Sequence, residues 1–321
     1  MNKSAYIGID TSNYTTSVAL VDEAGEVVLN LKAPLPVAEG QRGLRQSDAV
    51  FAHVKNLPRL MDSLRPALRD YSPQTICVSA TPRDLEGSYM PCFLSGVSAA
   101  HALGAALDLP VDTCSHQEGH LMAALYASGG NSLLGREFGA FHVSGGTTDM
   151  LLVNAAEDGT MKITEVGKSA DLHAGQVVDR IGVYLGLSFP AGPALENLAL
   201  QNDKPVPKPK ISVLDGVCHL SGLENLAKAM YEKTADAPLV AAFVLSFLEK
   251  TIYKMAEHLR QSDPQLPLLF AGGVMSNQII KNGLCARLKG ELYFAPPAFS
   301  ADNAAGVALI GRQRFLAKEK N

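Results

Sequence analysis

A pattern of strand, small-residue turn, strand, acidic turn and strand occurs twice in this sequence. The first copy has its strands at Ala5–Asp10, Thr16–Val21 and Val27–Leu31. The second copy has its strands at Gly139–Val143, Asp149–Val153 and Met161–Val166. The two copies are about 135 residues apart, and a long-period repeat of one supersecondary unit indicates a duplicated architecture. The sequence therefore predicts two related lobes with a ligand between them.

Segments of helical or buried-strand character separate and follow the two copies. Asp48–Leu64 has apolar residues at helical spacing despite Pro58, and Ser95–Leu107 has the small residues of a helix packed closely on a sheet. Ala237–Leu259 is a long helical pattern, and the apolar run Leu268–Ala271 before two glycines predicts a buried parallel strand. Together with the two copies, these segments predict an α/β protein.

The length of 321 residues is enough for two domains of ordinary size. We predict an N-terminal lobe over residues 1–132 and a C-terminal lobe over residues 133–300. Residues 301–321 are predicted to form a helix that returns to the N-terminal lobe.

Composition and charge narrow the class of protein. Hydrophobic residues make up 47% of the chain and charged residues 19%, which is typical of a folded protein with a sizeable core. The formal net charge of -4 gives no global sign of nucleic-acid binding, and the Pro/Lys segment 204–210 is the most basic local patch. No apolar run reaches the roughly 18 residues that span a bilayer. The five cysteines are scattered and form no CxxC, which favours a cytoplasmic protein with reduced thiols and no membrane partner.

Two histidines four residues apart, His116 and His120, are the first candidate for chemistry. At this spacing both imidazoles lie on one helix face and can reach one metal ion, although two unrelated surface histidines produce the same pattern. A zinc-protease motif requires Glu directly after the first His, and Gln117 occupies that position. Glu118 lies about 200° round the helix from His116 and is expected to point away.

Three turns rich in small residues are candidates for ligand binding. The glycines of Ser144–Thr148 let backbone N–H groups approach an anion, although an ordinary hairpin loop has the same composition. Gly272 and Gly273 follow a buried strand, where Asn277 is placed either to contact a ligand or to begin a helix. Asp302 precedes a small-residue helix and is a candidate N-cap or metal ligand.

These motifs, in this order, resemble the catalytic subunit of tRNA adenosine threonylcarbamoyltransferase (the TsaD type, formerly called O-sialoglycoprotein endopeptidase). The resemblance covers nearly the whole chain, and its specificity lies in the combination of six motifs rather than in any one of them. The matching segments are Gly8–Ser12, His116–His120, Ser144–Gly146, Asp179–Gly192, Gly272–Asn277 and Asp302–Ala305.

The resemblance implies an actin-like (ASKHA) fold of two duplicated ribonuclease-H-like lobes with a ligand cleft between them. It implies one divalent metal, Fe²⁺ or Zn²⁺, held by His116, His120 and Asp302. It implies ATP or threonylcarbamoyl-adenylate as the bound nucleotide, and tRNA, a small actin-like subunit and an ATPase subunit as partners. The positions that match the family's nucleotide-binding residues are Val143, Ser144, Gly145, Gly146, Asp179, Gly192 and Asn277.

The sequence departs from the family pattern at positions expected to surround the ligand. The family has an acidic pair where this chain has Tyr14 and Thr15, and a His where this chain has Thr147. Asp10, just upstream, remains as a candidate catalytic carboxylate. Two hypotheses follow: transfer of threonylcarbamoyl to the exocyclic amine of the tRNA adenosine beside the anticodon, or a metal- and nucleotide-binding paralogue with weak or no transfer, acting as scaffold or sensor. The metalloprotease reading is disfavoured by the position of Glu118.

Overall fold

The computed structural model describes residues 2–12, 14–36, 44–300 and 304–319, without the side chain of residue 300. The chain divides into two compact units. The first consists of Met1–Ala127, Ala155–Lys162 and Ala301–Asn321, and the second of Ser128–Asn154 and Ile163–Ser300. The lobe boundaries given above remain predictions.

The first unit combines the N-terminal strands with the last helix of the chain. Its elements are β1 (Lys3–Asp10), β2 (Thr15–Asp22), β3 (Val27–Pro34), α1 (Gln46–Leu64), β4 (Tyr71–Thr81), α2 (Phe93–Leu107), β5 (Val111–Ser115), α3 (His116–Ser128) and, from the C-terminus, α10 (Ala305–Glu319).

The second unit contains most of the remaining elements. They are β6 (Phe138–Val143), β7 (Thr148–Ala155), β8 (Met161–Lys168), α4 (Ala174–Tyr184), α5 (Gly192–Ala199), β9 (Val213–Leu214), β10 (Val217–Cys218), α6 (Ser221–Thr234), α7 (Ala237–Leu259), β11 (Leu268–Ala271), α8 (Gln278–Arg287), β12 (Leu292–Phe294) and α9 (Pro297–Ser300). The turn between β7 and β8 belongs to the first unit.

Ten of the twelve described strands form two five-stranded sheets of the same topology, and β9 and β10 form a two-stranded sheet. The order is β3-β2-β1-β4-β5 in the first unit and β8-β7-β6-β11-β12 in the second. In each sheet the first strand of the unit is central, with an antiparallel hairpin partner on one side and a parallel strand on the other. The outer strands β5 and β12 are also parallel to their neighbours. This equivalence confirms the duplication predicted from the repeated strand pattern.

Close packing of helices on the first sheet depends on small residues. A Cβ added to Gly104 of α2 would lie 2.5 Å from Val111 Cγ2. A Cβ added to Gly311 of α10 would lie 2.8 Å from Cys77 Cβ on β4. Even a single methyl group has no room at these two positions, which explains why these helix faces are rich in Gly and Ala. The small-residue character of Ser95–Leu107 correctly predicted a helix lying close to the sheet.

In the second unit, α7 supplies the largest share of the core. Its buried residues, among them Val244 and Leu248, pack in one cluster with Phe141 and Phe270 of the sheet. The strand β11 is fully buried and pairs parallel with β6 and β12, as its uninterrupted apolar run predicts.

The outer face of α1 differs from the simple expectation for an amphipathic helix. Phe51 and Val54 belong to the apolar helical pattern of this segment, and they are 66% and 54% exposed. The helix instead buries the face that carries Ala49, His53, Leu57, Leu60 and Leu64. Within the described part of the chain, no helix has both the length and the apolar character needed to cross a membrane.

Candidate functional site

The two candidate metal-binding histidines lie in the first turns of α3, directly after the edge strand β5. Their Nε2 atoms are 2.9 Å apart, and the two rings meet edge to face with centroids 4.3 Å apart. The same nitrogen of each imidazole is therefore close enough to its counterpart for both to reach one ion. The helical spacing of His116 and His120 predicts this arrangement, and it is the geometry that two ligands of one ion require.

Asp10, the candidate catalytic carboxylate, ends β1 and is completely buried. Ser12 Oγ donates to Asp10 Oδ2 at 2.9 Å, and Ser79 Oγ at the end of β4 donates to Asp10 Oδ1. His116 Nδ1 lies 3.2 Å from Asp10 Oδ2. Because β1, β4 and β5 are parallel, their carboxyl ends bring these groups to one edge of the first sheet.

Glu118 faces away from the histidine pair, as its position round the helix predicts. It accepts a hydrogen bond from Ser115 N at 2.6 Å and lies 3.4 Å from Arg314 of α10. Burial raises the pKa of this carboxyl above its usual value, and the bonds from Ser115 oppose the shift. Glu118 therefore serves the packing of α3 and α10, which leaves the zinc-protease arrangement without its base.

No cluster of three or more His, Cys, Asp or Glu side chains arranged for a metal ion occurs among the described residues. Asp302, the third predicted ligand, lies outside them. Two imidazole nitrogens directed at one point, with a carboxylate behind one of them, fit a Zn²⁺ or Fe²⁺ centre in the chemistry of their donors. The ligand set His116, His120 and Asp302 remains a prediction.

The turn between β6 and β7 is held by its own backbone and by the helix behind it. Ser144 N donates to Thr147 O at 2.8 Å, and Gly146 N donates to Ser144 Oγ at 3.2 Å. From α4, Gly175 N donates to Ser144 O at 3.0 Å, and a Cβ on Gly175 would lie 2.5 Å from Gly145 N. The turn thus rests directly on the start of a helix, the end of a helix at which anions bind favourably.

The outer side of this turn is open. A Cβ added to Gly145 or Gly146 would meet no described atom within 4 Å. Val143, the other predicted contact residue, is fully buried at the end of β6. The backbone of Gly272 lies against Val143 with φ +98°, and a Cβ at Gly272 would collide with that strand, so only glycine fits there. Neighbouring strand ends and an open glycine turn together make a surface that a phosphate group can approach.

The predicted nucleoside-binding residues lie in the same unit: Asp179 in the middle of α4, Gly192 at the start of α5 and Asn277 at the start of α8. Asp179 Oδ1 accepts a hydrogen bond from Ala191 N at 2.8 Å, which fixes the start of α5 beside Gly192. Asn277 begins α8, where its Oδ1 accepts from Ile280 N at 3.1 Å. The helix-start interpretation of Asn277 is therefore correct, and its side-chain amide nitrogen is the group that remains for a ligand contact.

Sequence reasoning did not identify Glu196, which the structure brings to this region. Glu196 Oε1 accepts a hydrogen bond from Gln278 N at 2.8 Å, so it links α5 to the start of α8 beside Asn277. The available signal was its position four residues after Gly192, since residues at that spacing share one helix face.

A sequence model of the family described as tRNA N6-adenosine threonylcarbamoyltransferase (TsaD) matches residues 39–309. The chain belongs to this family. A curated tRNA N6-adenosine threonylcarbamoyltransferase from Thermotoga neapolitana is 29% identical to it over 325 residues, covering 96% of this chain and 93% of the relative. Membership of TsaD, a family of transferases acting on tRNA, confirms the resemblance drawn from the six motifs and identifies the chain as a divergent member.

Solved structures place this TsaD member in the actin-like (ASKHA) class. HypF from T. kodakarensis matches with a TM-score of 0.64 and 12% identity, over 98% of this chain and 48% of that chain. The activator of 2-hydroxyisocaproyl-CoA dehydratase from Clostridium difficile, solved with bound ADPNP, matches with a TM-score of 0.54 and 12% identity, over 98% and 96% of the two chains. Identities this low show a shared fold alone, and they confirm the predicted α/β class with two duplicated units.

Two positions at which this TsaD member departs from the family pattern are visible in the structure. Tyr14, at the start of β2, is 40% exposed. Thr147 has a buried hydroxyl with no hydrogen-bond partner among the described residues. Neither side chain has the carboxylate or imidazole that the resemblance leads one to expect in the turns after the central strands β1 and β6.

Proposed function

We propose that this protein transfers a threonylcarbamoyl group from threonylcarbamoyl-adenylate to the exocyclic amine of the tRNA adenosine beside the anticodon. The observation that carries the proposal is the open turn of Ser144–Gly146 in a chain that belongs to TsaD. Its glycines leave space for a phosphate to approach backbone amides. No GxxxxGK[ST] motif offers a lysine for the same task.

The adenylate is proposed to bind along the second unit. Its phosphate contacts the turn formed by Val143, Ser144, Gly145 and Gly146. The nucleoside contacts Asp179, Gly192 and Asn277, and Glu196 adds a carboxylate at the same helix ends. Support comes from two hydrogen bonds, which Ala191 N donates to Asp179 and Gln278 N donates to Glu196, because they order the starts of two helices in this region.

A single divalent metal, Fe²⁺ or Zn²⁺, is proposed to bind His116, His120 and Asp302. The ion would act as a Lewis acid towards phosphate or carbamoyl oxygen. The protein's part is to hold the two imidazoles with their Nε2 atoms 2.9 Å apart. Support for two of the three ligands comes from that geometry.

The acceptor step needs a group that takes a proton. The adenosine amine nitrogen attacks the carbamoyl carbon, the bond from that carbon to the phosphate oxygen breaks, AMP leaves, and the amine gives up one proton. Neither Tyr14 nor Thr15 has a carboxylate that could take this proton. We therefore expect a slow transferase that retains metal and nucleotide binding.

The partners proposed from the family are tRNA, a small actin-like subunit and an ATPase subunit of the same pathway. The exposed faces of α1 and α2 suit the actin-like subunit, since Phe51, Val54 and Leu94 are each more than half exposed there. Apolar side chains grouped on a surface often mark a protein interface. We propose a cytoplasmic location, in keeping with five free cysteines, four of which are buried.

The direct test is to incubate the purified chain with threonylcarbamoyl-adenylate, unmodified tRNA and the partner subunits, and to quantify modified adenosine by mass spectrometry. We expect slow formation of threonylcarbamoyladenosine that depends on both the adenylate and tRNA. Absence of product, with nucleotide binding intact, would establish the paralogue hypothesis instead. Absence of both product and nucleotide binding would contradict the assignment of the glycine turn.

A further inference from the structure

The carboxylate of Asp10 contacts His116 at Nδ1, the ring nitrogen opposite to the one that contacts His120. Its side chain is completely buried, so it is not positioned to touch tRNA or a substrate amine. Its Oδ2 lies 3.2 Å from His116 Nδ1, within hydrogen-bonding distance. The opposite ring nitrogen, His116 Nε2, lies 2.9 Å from His120 Nε2.

Two serines fix the orientation of the carboxylate. Ser12 Oγ donates to Oδ2 and Ser79 Oγ donates to Oδ1, so each carboxylate oxygen accepts at least one hydroxyl proton. Ser12 follows β1 directly and Ser79 lies on the neighbouring parallel strand β4. The orientation of Asp10 is thus set by two strands of the central sheet, which are among the most rigid parts of a fold.

This arrangement decides the protonation pattern of His116. An ionised carboxylate is only an acceptor, so with Asp10 ionised a proton on His116 Nδ1 is the one that can be donated across the 3.2 Å between them. In the neutral imidazole the lone pair then resides on Nε2, the atom turned towards His120. A histidine that binds a metal commonly donates its second nitrogen to a carboxylate in this way, which fixes the tautomer and the ring orientation and increases the basicity of the ligand.

We propose that Asp10 is a positioning residue for the metal centre: it holds His116 in the Nδ1-protonated tautomer with Nε2 ready to bind a divalent cation. The inference rests on the metal assigned to His116 and His120 under the proposed function. It gives Asp10 a role different from that of a base on the acceptor amine. The charge and shape of the carboxylate both matter, because an amide in its place accepts more weakly and can present a donor to His116 Nδ1.

The first test is metal affinity, measured with Zn²⁺ alone in competition with a chromophoric chelator, and with Co²⁺ alone through its visible absorption. Asp10→Asn is expected to raise the Zn²⁺ dissociation constant about 10- to 100-fold, the usual effect of losing such a carboxylate. Ser79→Ala retains the carboxylate but removes one of its hydroxyl donors, so a smaller rise is expected. Glu249→Gln is the matched control, because Glu249 is also a buried carboxylate but lies on α7 in the second unit.

The second test needs neither metal nor activity. Long-range ¹H–¹⁵N correlation spectra of the metal-free protein report which nitrogen of each imidazole carries the proton, and His116→Asn identifies the signal. We expect His116 to be protonated at Nδ1 in the wild type and in Glu249→Gln, and to shift towards the Nε2-protonated tautomer in Asp10→Asn. Thermal unfolding of each variant establishes that the protein compared is folded.

The outcomes separate this inference from the proposed function. Unchanged Zn²⁺ affinity in a folded Asp10→Asn protein, or an Nε2-protonated His116 in the wild type, would overturn the positioning role while leaving the transfer reaction untouched. Failure to modify tRNA, with the expected affinity and tautomer shifts, would overturn the proposed function alone. A wild type that binds neither Zn²⁺ nor Co²⁺ would overturn the metal assignment and this inference together.

Discussion

The turns after β1 and after β6 occupy equivalent positions in two sheets of the same topology, yet they are built in opposite ways. In the first unit, Thr11 and Ser12 are buried and their side chains are hydrogen-bonded within the unit. In the second unit, Gly145 and Gly146 are exposed and have open space outside them. One copy of the duplicated turn uses side chains to order a buried polar network. The other has two glycines without side chains, and the space outside them is open.

The comparison shows that the two copies have kept the same strand order, while the residues of the turn after the central strand have diverged. The strand that precedes each turn is fully buried over its last residues, which fixes where the turn begins. The difference between the two turns lies in two residues of each, Thr11 and Ser12 in the first and Gly145 and Gly146 in the second. It follows that substitutions in the two turns should produce different kinds of defect, and the predictions below use this to challenge the comparison.

The largest expected effect concerns the first turn. Restoring the family's acidic pair with Tyr14→Asp and Thr15→Glu should raise the rate of tRNA modification by about 10² to 10⁴, the typical contribution of a general base. The rate is measured in single turnovers with saturating adenylate and tRNA. Tyr14→Asn with Thr15→Gln is the matched control, since it has similar polarity and shape without the charge, and it should leave the slow rate unchanged.

A wild-type rate equal to that of a family member with the intact acidic pair would contradict the importance given to this turn. Equal acceleration by the charged and the uncharged pair would show that polarity or shape, and not a base, limits the reaction.

A smaller effect is expected in the second turn. Gly146→Val should weaken binding of a non-hydrolysable adenylate about 10- to 100-fold, equivalent to one hydrogen bond to a charged group, because the new side chain occupies the space that the phosphate needs. Isothermal titration calorimetry provides the measurement. Thermal stability should be retained, since a Cβ at this position meets no described atom within 4 Å.

Gly222→Val is the control for this experiment. A Cβ added to Gly222 would also meet no described atom within 4 Å. Gly222 belongs to the same unit and lies near the start of α6. It should leave adenylate affinity unchanged. If Gly146→Val binds the adenylate like the wild type while remaining folded, the phosphate does not contact this turn.

Much of the framework was predictable from the sequence because it depends on local patterns. The buried strands β1 and β6 consist mostly of apolar and small residues, and the glycines after β11 marked a tight turn that Gly272 makes with φ +98°. The repeat itself predicted the duplication. These signals act over fewer than about ten residues each, the scale on which periodicity and turn chemistry are reliable.

The contacts around Asp10 could not be predicted in the same way. They depend on β5, a five-residue edge strand. Because β5 contains the polar residues Asp112 and Thr113, its sequence does not show the apolar pattern of a strand. Without β5, nothing in the sequence brings His116 to the same sheet edge as Asp10. The exposure of Phe51 was missed for a related reason, since helical spacing gives a stripe of apolar residues but does not say which face meets the sheet.

The smallest expected effect compares a threonine hydroxyl in each turn. Thr11 Oγ1 donates to Cys92 O at 3.1 Å and accepts from Gly96 N at 3.0 Å, and it is fully buried, so Thr11→Val leaves two polar groups of α2 without these bonds. That change should lower the free energy of unfolding by about 1–3 kcal/mol. Thr147 Oγ1 is buried with no partner among the described residues, so Thr147→Val, of nearly the same shape, should leave stability unchanged or slightly higher. Urea denaturation of both variants measures the two values side by side. Equal losses of stability would show that Thr147 is bonded in solution, and that the two turns are less different than the structure indicates.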